Sequence, residues 1–255
     1  MIELPAGPDF RLVGRRALVT GGSSGIGLAA AAALGRAGAH VTVVARRQTE
    51  LESACEALRA ASIACEAVVL DVTDSASVDR VVNARSPFDI LVNSAGMNRP
   101  KPLTDLTDDD IDAVLQLNVK AAFYTARAVS RRLVDANLGG SIINVSSQMG
   151  HVGSPRRSLY CASKHAVEGM TKALAWELGP ARIRVNSLCP TFIETPMTTS
   201  MFAQPGFREW VCERIALGRV GEMHEIMGPV VFLASDASSL MTGSALMLDG
   251  GWTAA

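Results

Sequence analysis

Apolar runs rich in β-branched residues recur along the chain at 17–20, 41–45, 67–72, 90–92, 141–145, 185–188 and 245–248, with helical stretches between them. The runs are continuously apolar rather than alternating, the pattern of strands covered on both faces. They predict a seven-stranded parallel sheet flanked by helices on both faces, an α/β, doubly wound fold. Residues 28–38 read as a helix stopped at Gly35 or Gly38, and 108–128 as another, entered from the polar Thr104-Asp-Leu-Thr107 cluster. No linker, composition break or internal repeat interrupts the series, so 1–255 is expected to form a single domain. The irregular stretch is 191–217, where Pro196, Pro205 and Gly206 predict a mobile, partly helical substrate lid. Met197, Met201, Phe202, Phe207 and Trp210 would divide between its inner face and the core.

Composition narrows the functions on offer. Hydrophobic residues make up 48% of the 255 positions while aromatics are 5%, an aliphatic interior that excludes a disordered chain. With 24 Lys+Arg against 25 Asp+Glu there is no strong field to attract nucleic acid or an anionic membrane, and neither is expected as a partner. No apolar run is long enough for a bilayer span, and the opening Met1-Ile-Glu-Leu-Pro5 lacks the pattern of a secretory leader, so a cytoplasmic location is expected. The five cysteines are odd in number and scattered, without His at ligand spacing. Reduced thiols and no metal site are expected.

The chemistry begins directly after the first strand, at Thr20-Gly-Gly-Ser-Ser-Gly-Ile-Gly27, followed at once by an Ala-rich helix. Gly21 permits a tight turn, Gly25 lets backbone N–H groups close on a pyrophosphate at the helix start, and Gly27 allows close helix–strand packing. A plain Gly/Ser connection is the alternative, and the strand–turn–helix context disfavours it. An acidic residue about 20 positions on would hold the adenosine ribose of NAD. Here the second strand ends in Val44-Ala45-Arg46-Arg47, so NADP(H) is preferred and NAD(H) is second. The alternative for the two arginines is a solvated helix start.

One of the chain's two tyrosines lies in Tyr160-Cys-Ala-Ser-Lys164. Positions i and i+4 share a helix face, so Lys164 is expected to stabilise the Tyr160 phenolate and draw its pKa down toward use as a general acid or base. Ser147 stands shortly before, just after the fifth strand, where parallel-sheet enzymes place functional groups.

Taken together, these motifs resemble the short-chain dehydrogenase/reductase family from Arg16 to Gly251. The further matches are Asp71-Val72, Asn93-Ser-Ala-Gly96, Leu117-Asn118-Val119, Asn144-Val-Ser-Ser147, Arg184-Val-Asn-Ser187 and Leu248-Asp-Gly-Gly251. The resemblance implies a Rossmann-type fold and hydride transfer at a carbonyl/secondary alcohol pair. It implies that Tyr160 exchanges the proton, Ser147 orients the substrate oxygen, and Lys164 also holds the nicotinamide ribose. Asn118 would position a water linking Lys164 to solvent. Gly21, Ser23, Ser24, Gly25, Ile26 and Gly27 would cradle phosphates. Asp71 and Val72 would meet the adenine, Asn93, Ala95 and Gly96 the ribose region, and Pro190, Ile193 and Thr195 the nicotinamide and pyrophosphate. It also implies a homotetramer, with helices around 118–128 and 160–178 pairing between subunits. Two departures stand out, Ser94 for a usual Asn and Thr191 for a usual Gly, the second leaving the loop geometry open.

For substrate, the resemblance offers a 3-oxoacyl thioester on a carrier protein, or a sugar acid or polyol. Arg156, Arg157, Arg99 and Lys101 could bring positive charge to the substrate mouth, drawing an anionic or carrier-bound substrate, or be ordinary solvated loop charges. His151 lies between Ser147 and Tyr160 and could touch substrate. A regulator that senses NADP(H) without turnover is the competing function, and the complete Ser147, Tyr160, Lys164 and Asn118 set argues against it.

Overall fold

In the computed structural model, which describes residues 6–254, the apolar runs become strands and the intervening segments helices. The order is β1 (Arg16–Thr20), α1 (Gly25–Arg36), β2 (His40–Ala45), α2 (Gln48–Ala60), β3 (Cys65–Val69), α3 (Ser75–Asn83), β4 (Ile90–Asn93), α4 (Asp108–Leu115), α5 (Ala121–Asp135), β5 (Gly140–Val145), α6 (Ser158–Leu178), β6 (Ile183–Pro190), α7 (Pro196–Phe202), α8 (Phe207–Cys212), α9 (Met227–Ala234) and β7 (Ala245–Leu248). The strands pair in the order β3-β2-β1-β4-β5-β6-β7, every pair parallel. Winding reverses between β1 and β4, and such a reversal opens a crevice at the carboxyl ends of the strands. Register sets Thr20 beside Asn93 and Asn93 beside Asn144, so the chemistry-bearing strand ends finish level.

Both sheet faces are covered, which is why the strands are apolar throughout. On one face Val41 and Val43 pack with Leu34 of α1, Leu51 and Leu58 of α2, and Val230 and Leu233 of α9. On the other, Leu18, Ile142 and Val185 pack with Val78 and Val82 of α3, Val129 and Leu133 of α5, and Phe88. Each of these aliphatic side chains contributes about 1.5–3 kcal/mol relative to exposure.

Several expected boundaries move. Helix α1 ends at Arg36 with Ala37 as its cap and Gly38, at φ +104°, turning the chain away; Gly35 lies within the helix, where a Cβ would sit 2.1 Å from Ile63 Cγ2. The third strand ends at Val69, not 72: Asp71 Oδ1 accepts from Thr73 N–H (2.9 Å) and Oγ (2.7 Å), turning the chain out of the sheet. The expected helix over 108–128 is interrupted by a π-helical turn at Gln116–Lys120, which carries Asn118, and then continues as α5. Thr107 and Asp110 form a reciprocal cap at its start. The stretch 191–217 contains two short helices, α7 and α8. An aromatic cluster anchors them, with Phe192, Phe202, Phe207, Trp210 and Trp252 at ring-centroid separations of 5.7–6.2 Å.

All five cysteines are free thiols. They are less scattered in space than in sequence, since Cys55 of α2 and Cys65 of β3 meet at 2.7 Å. No helix among the described residues is long and apolar enough to cross a membrane.

Candidate active site

A cavity of about 370 Å³ opens at the crevice, running from the β1–α1 turn to the first turn of α6. At the β1 end its wall is backbone. Gly21 has φ +65°, and a Cβ there would lie 2.9 Å from Ala95 Cα; a Cβ on Gly27 would lie 2.4 Å from the Gly21 carbonyl oxygen. Only glycine fits either position. The first turn of α1 follows Ser24, whose side chain makes no capping hydrogen bond, so the N–H groups there are left to an incoming acceptor. Thr20 Oγ1 accepts from the N–H groups of Ser94 (3.0 Å) and Ala95 (3.1 Å), tying the β4 loop to the turn.

Gly21, Ser23, Ser24, Gly25, Ile26, Gly27, Arg46, Arg47, Val72, Ala95, Gly96, Pro190, Ile193 and Thr195, each an expected cofactor contact, all line this cavity. Two expected cofactor contacts do not. Asn93 faces the core, donating to Asn144 Oδ1 (2.9 Å) and accepting from Thr125 Oγ1 (2.6 Å). Asp71 lies outside the lining, with one carboxylate oxygen turned onto Thr73. The two arginines also differ. Arg47 pairs with Glu50 (2.8 Å) on the surface, whereas Arg46 makes no ion pair among the described residues.

The fit to a dinucleotide phosphate is therefore structural as well as sequential. Backbone N–H groups at an uncapped helix start face a cradle that a Cβ would fill, with an unpaired cation beside it.

At the other end stand Ser147, Tyr160 and Lys164. Ser147 begins a tight turn after β5, accepting from Met149 N–H (3.1 Å) and donating to Gln148 Oε1 (2.8 Å). Lys164 donates to the Val145 carbonyl (2.8 Å), and its Nζ lies 5.5 Å from the Tyr160 ring centroid. This corrects the expected electrostatics. Burial pushes the Tyr160 phenol up to about 12, and the groups drawing it down are the Ser147 hydroxyl and the Arg157 cation. Lys164 is itself lowered to about 8 by burial, against the opposing charges of Cys189 and Glu168. The lysine lies over the ring and is bound to a carbonyl, so the i,i+4 spacing brings the pair together without lowering the phenol.

Asn118 is buried behind this group. Its Oδ1 accepts from Met97 N–H (2.8 Å), and its Nδ2 donates to the Met97 carbonyl (2.9 Å) and Ser163 Oγ (3.0 Å). These bonds fix the loop after β4 against α6. A Cβ on Gly96 would lie 3.3 Å from Asn118 Oδ1 and 3.8 Å from Lys164 Nζ, so the two side chains converge there.

The substrate-side cations separate sharply. Arg99 and Lys101 are both held by buried Asp110, at 2.8 and 2.5 Å, so neither is a free cation at the mouth. Arg156 is exposed at φ +62° and lies off the cavity wall. Arg157 is buried and lines the cavity. His151 points away from it, toward Glu168 (3.5 Å) and Cys189 (3.5 Å). His151 is expected to touch substrate but lies instead in a cluster: its nitrogen, the Glu168 carboxylate and the Cys189 sulfur lie within 4.8 Å of one another. Those partners come from α6 and β6, too far along the chain for spacing to show. The Ser187 hydroxyl donates to Glu168 (2.9 Å), as does the Cys189 thiol (3.4 Å), which accounts for the carboxylate's burial.

Thr191 is accommodated without strain. Its φ is not positive, so glycine is not required there, and the residue lines the cavity.

This geometry belongs to a known family. Residues 21–253 match the family model described as "Enoyl-(Acyl carrier protein) reductase". The chain is 39% identical over 251 residues to gluconate 5-dehydrogenase of Gluconobacter oxydans, covering 96% of this chain and 98% of that protein. It is 38% identical to L-xylulose reductase of Bos taurus, covering 96% and 99%. Among solved structures, a gluconate 5-dehydrogenase from Burkholderia cenocepacia in complex with NADP and tartrate superposes with a TM-score of 0.93 at 35% identity, covering 97% of this chain and 98% of that one. The chain is a member of the short-chain dehydrogenase/reductase family, an oxidoreductase with a Rossmann-type sheet.

Proposed function

We propose that the protein interconverts a secondary alcohol and a ketone on a small polyhydroxylated substrate of the sugar-acid or polyol type, with NADP(H) as its preferred cofactor and NAD(H) as a poorer one. The observation that carries this reading is one continuous cavity with a glycine-built phosphate cradle and Arg46 at one end, and Ser147, Tyr160 and Lys164 at the other. The gluconate 5-dehydrogenase neighbour solved with NADP supports it.

In this reading Ser23, Ser24 and the N–H groups at the start of α1 hold the pyrophosphate, while Arg46 meets the adenosine phosphate. Val72 packs on the adenine, and Ala95, Gly96, Pro190, Ile193 and Thr195 line the ribose and nicotinamide. When bound, the nicotinamide supplies or accepts the hydride. Ser147 turns its hydroxyl from Gln148 to the substrate oxygen and fixes its position. Tyr160 gives its phenolic proton to that oxygen as the ketone is reduced, and recovers one when the alcohol is oxidised. Lys164, one turn along α6, holds the nicotinamide ribose, and Asn118 positions the water through which protons return from solvent. A sensor without turnover would have no use for a phenol positioned in this way.

A sugar-type substrate is favoured over an acyl thioester by the polar residues Asn98, Ser147, Gln148 and Thr191 in the lining, types that suit a chain of hydroxyls. The 191–217 segment acts as the lid, in a single domain. Phe123 of α5 and Trp176 of α6, 46% and 87% exposed, support a homotetramer built on those helices, which light scattering tests. The free thiols fit a reducing cytoplasm.

The deciding experiment follows nicotinamide absorbance with both cofactors against polyols, ketoses and sugar acids, using wild type and Tyr160→Phe. We expect turnover in wild type and a loss of about 10³-fold in the variant, with NADPH binding by fluorescence retained. Full turnover in the variant would overturn the assignment, as would binding of cofactor with no substrate oxidised or reduced.

A further inference from the structure

We propose that Arg157 forms an anion-binding subsite for a carboxylate, so that the substrate is a short polyhydroxy acid rather than a neutral polyol; this rests on the function proposed above. Arg157 is 7% exposed, lines the catalytic cavity with Ser147 and Tyr160, and has no carboxylate within ion-pair distance among the described residues. Burying a cation without a counter-charge is costly, and proteins rarely do it unless a ligand supplies the missing charge.

Arg157's surroundings show how incomplete its pairing is. Its Nη2 approaches the Met201 sulfur (3.1 Å), and its guanidinium lies 5.8 Å from the Phe192 ring centroid. A thioether is a weak acceptor. Arg184, also partly buried, shows the contrast: it donates to Ser238 Oγ (2.7 Å) and the Ser235 carbonyl (3.1 Å). The planar fork of Arg157 therefore retains its capacity for a bidentate oxyanion. Met201 belongs to α7, so the helix of the substrate side already rests on this cation.

Charge and polarity together specify the ligand. One guanidinium walled by Phe192 and Met201 balances a single negative charge, whereas a phosphate dianion would carry a second, uncompensated charge into an apolar wall. Asn98, Ser147, Gln148 and Thr191 line the same cavity, residue types that suit hydroxyls along a short chain. Arg157 stands immediately before α6 and Tyr160 lies in its first turn, so the carboxylate and the reacting carbon are gripped from one end of the same helix.

The test compares wild type, Arg157→Met, Arg157→Lys and Arg156→Asn on sugar acids, neutral polyols of equal length and phosphorylated sugars. It also measures thermal shift with glycolate, a monocarboxylate with no secondary alcohol to react, as the probe. Wild type is expected to prefer the acids, and Arg157→Met to lose roughly 100-fold of that preference, chiefly in KM. Arg157→Lys should lose less, and Arg156→Asn should keep the wild-type ratio. Arg157→Met should also melt higher than wild type without ligand, because an uncompensated buried charge has gone, and should lose its stabilisation by glycolate. A purely structural arginine would give a lower melting temperature on truncation. Equal preference for acids and neutral polyols, or a preference for phosphorylated sugars, would overturn the subsite while leaving the proposed reaction intact. If nothing turns over, the reaction fails but the glycolate arm still decides: no shift in wild type sinks the subsite.

Discussion

The two ends of the cavity are made of different materials. At the β1–α1 end the wall is backbone, shaped by glycines and by N–H groups at a helix start, and side-chain identity matters little beyond Arg46. At the α6 end it is side chains, drawn from the turn after β5, from α6, from β6 and from α7. A backbone surface is fixed by the fold, so the cofactor end can stay constant while the chain around it varies. A side-chain surface can be rebuilt by single substitutions, and this is where substrate choice resides.

The comparison can be broken most forcefully at Gly27. Gly27→Ala drives a methyl against the Gly21 carbonyl, 2.4 Å from the ideal Cβ. Cofactor affinity by fluorescence titration should fall roughly 100-fold or more, with a lower melting temperature, since the strain displaces the phosphate cradle. Unaltered binding would show that the backbone does not define this end.

Next is Arg46. Arg46→Ser should lower kcat/KM for NADPH about tenfold, the scale of one exposed charge-assisted hydrogen bond, and spare NADH. Arg47→Ser should do less, because Glu50 already holds Arg47. Equal effects would mean that the ion pair does not separate them.

At the side-chain end, the depressed Lys164 gives a milder signature. Its folded value of about 8 lies below the ordinary lysine value, so between these the unfolded chain binds the extra proton. Stability rises with pH across that window as the penalty for burying the charge relaxes. The stability gap between wild type and Lys164→Met, from urea midpoints, should change between about pH 8 and pH 10. A pH-independent gap would place the ammonium in water.

The smallest effect is expected at Asp110, whose carboxyl is held below its usual range first by Lys101, then by the Thr107 N–H and by Arg99. Its contribution is present above the unfolded carboxylate value near 4 and lost as pH falls through the lower folded value. Asp110→Asn should reduce that acid-side dependence and free Arg99 and Lys101, which a rise in affinity for anions at the mouth would reveal.

The same division explains what could be read from the sequence. The strands, the glycine turn and the Tyr160–Lys164 pair declare themselves because each depends on neighbours a few positions away. Arg156 and Arg157 are adjacent and chemically identical, and only the α6 entry and the packing of Phe192 and Met201 set one in water and the other in the cavity. Asp110 captures two cations from across a loop. Asn93 turns inward because Asn144 and Thr125 lie beside it once β4, β5 and α5 are assembled. Spacing also misleads on the phenol: it predicts the Tyr160–Lys164 encounter correctly but carries no information about how much water the fold removes from both.

The aromatic cluster beneath α7 and α8 has a practical use. Two of the chain's three tryptophans, Trp210 and Trp252, sit in it, while Trp176 is 87% exposed on the far helix. Ultraviolet emission therefore divides into a sheltered component from the cluster and one from Trp176, open to a quencher in a single chain and closed in the proposed tetramer. The sheltered light comes from the scaffold beneath Met201 and Phe192, so an unlabelled sample carries its own optical gauge of what happens when a small molecule reaches Arg157.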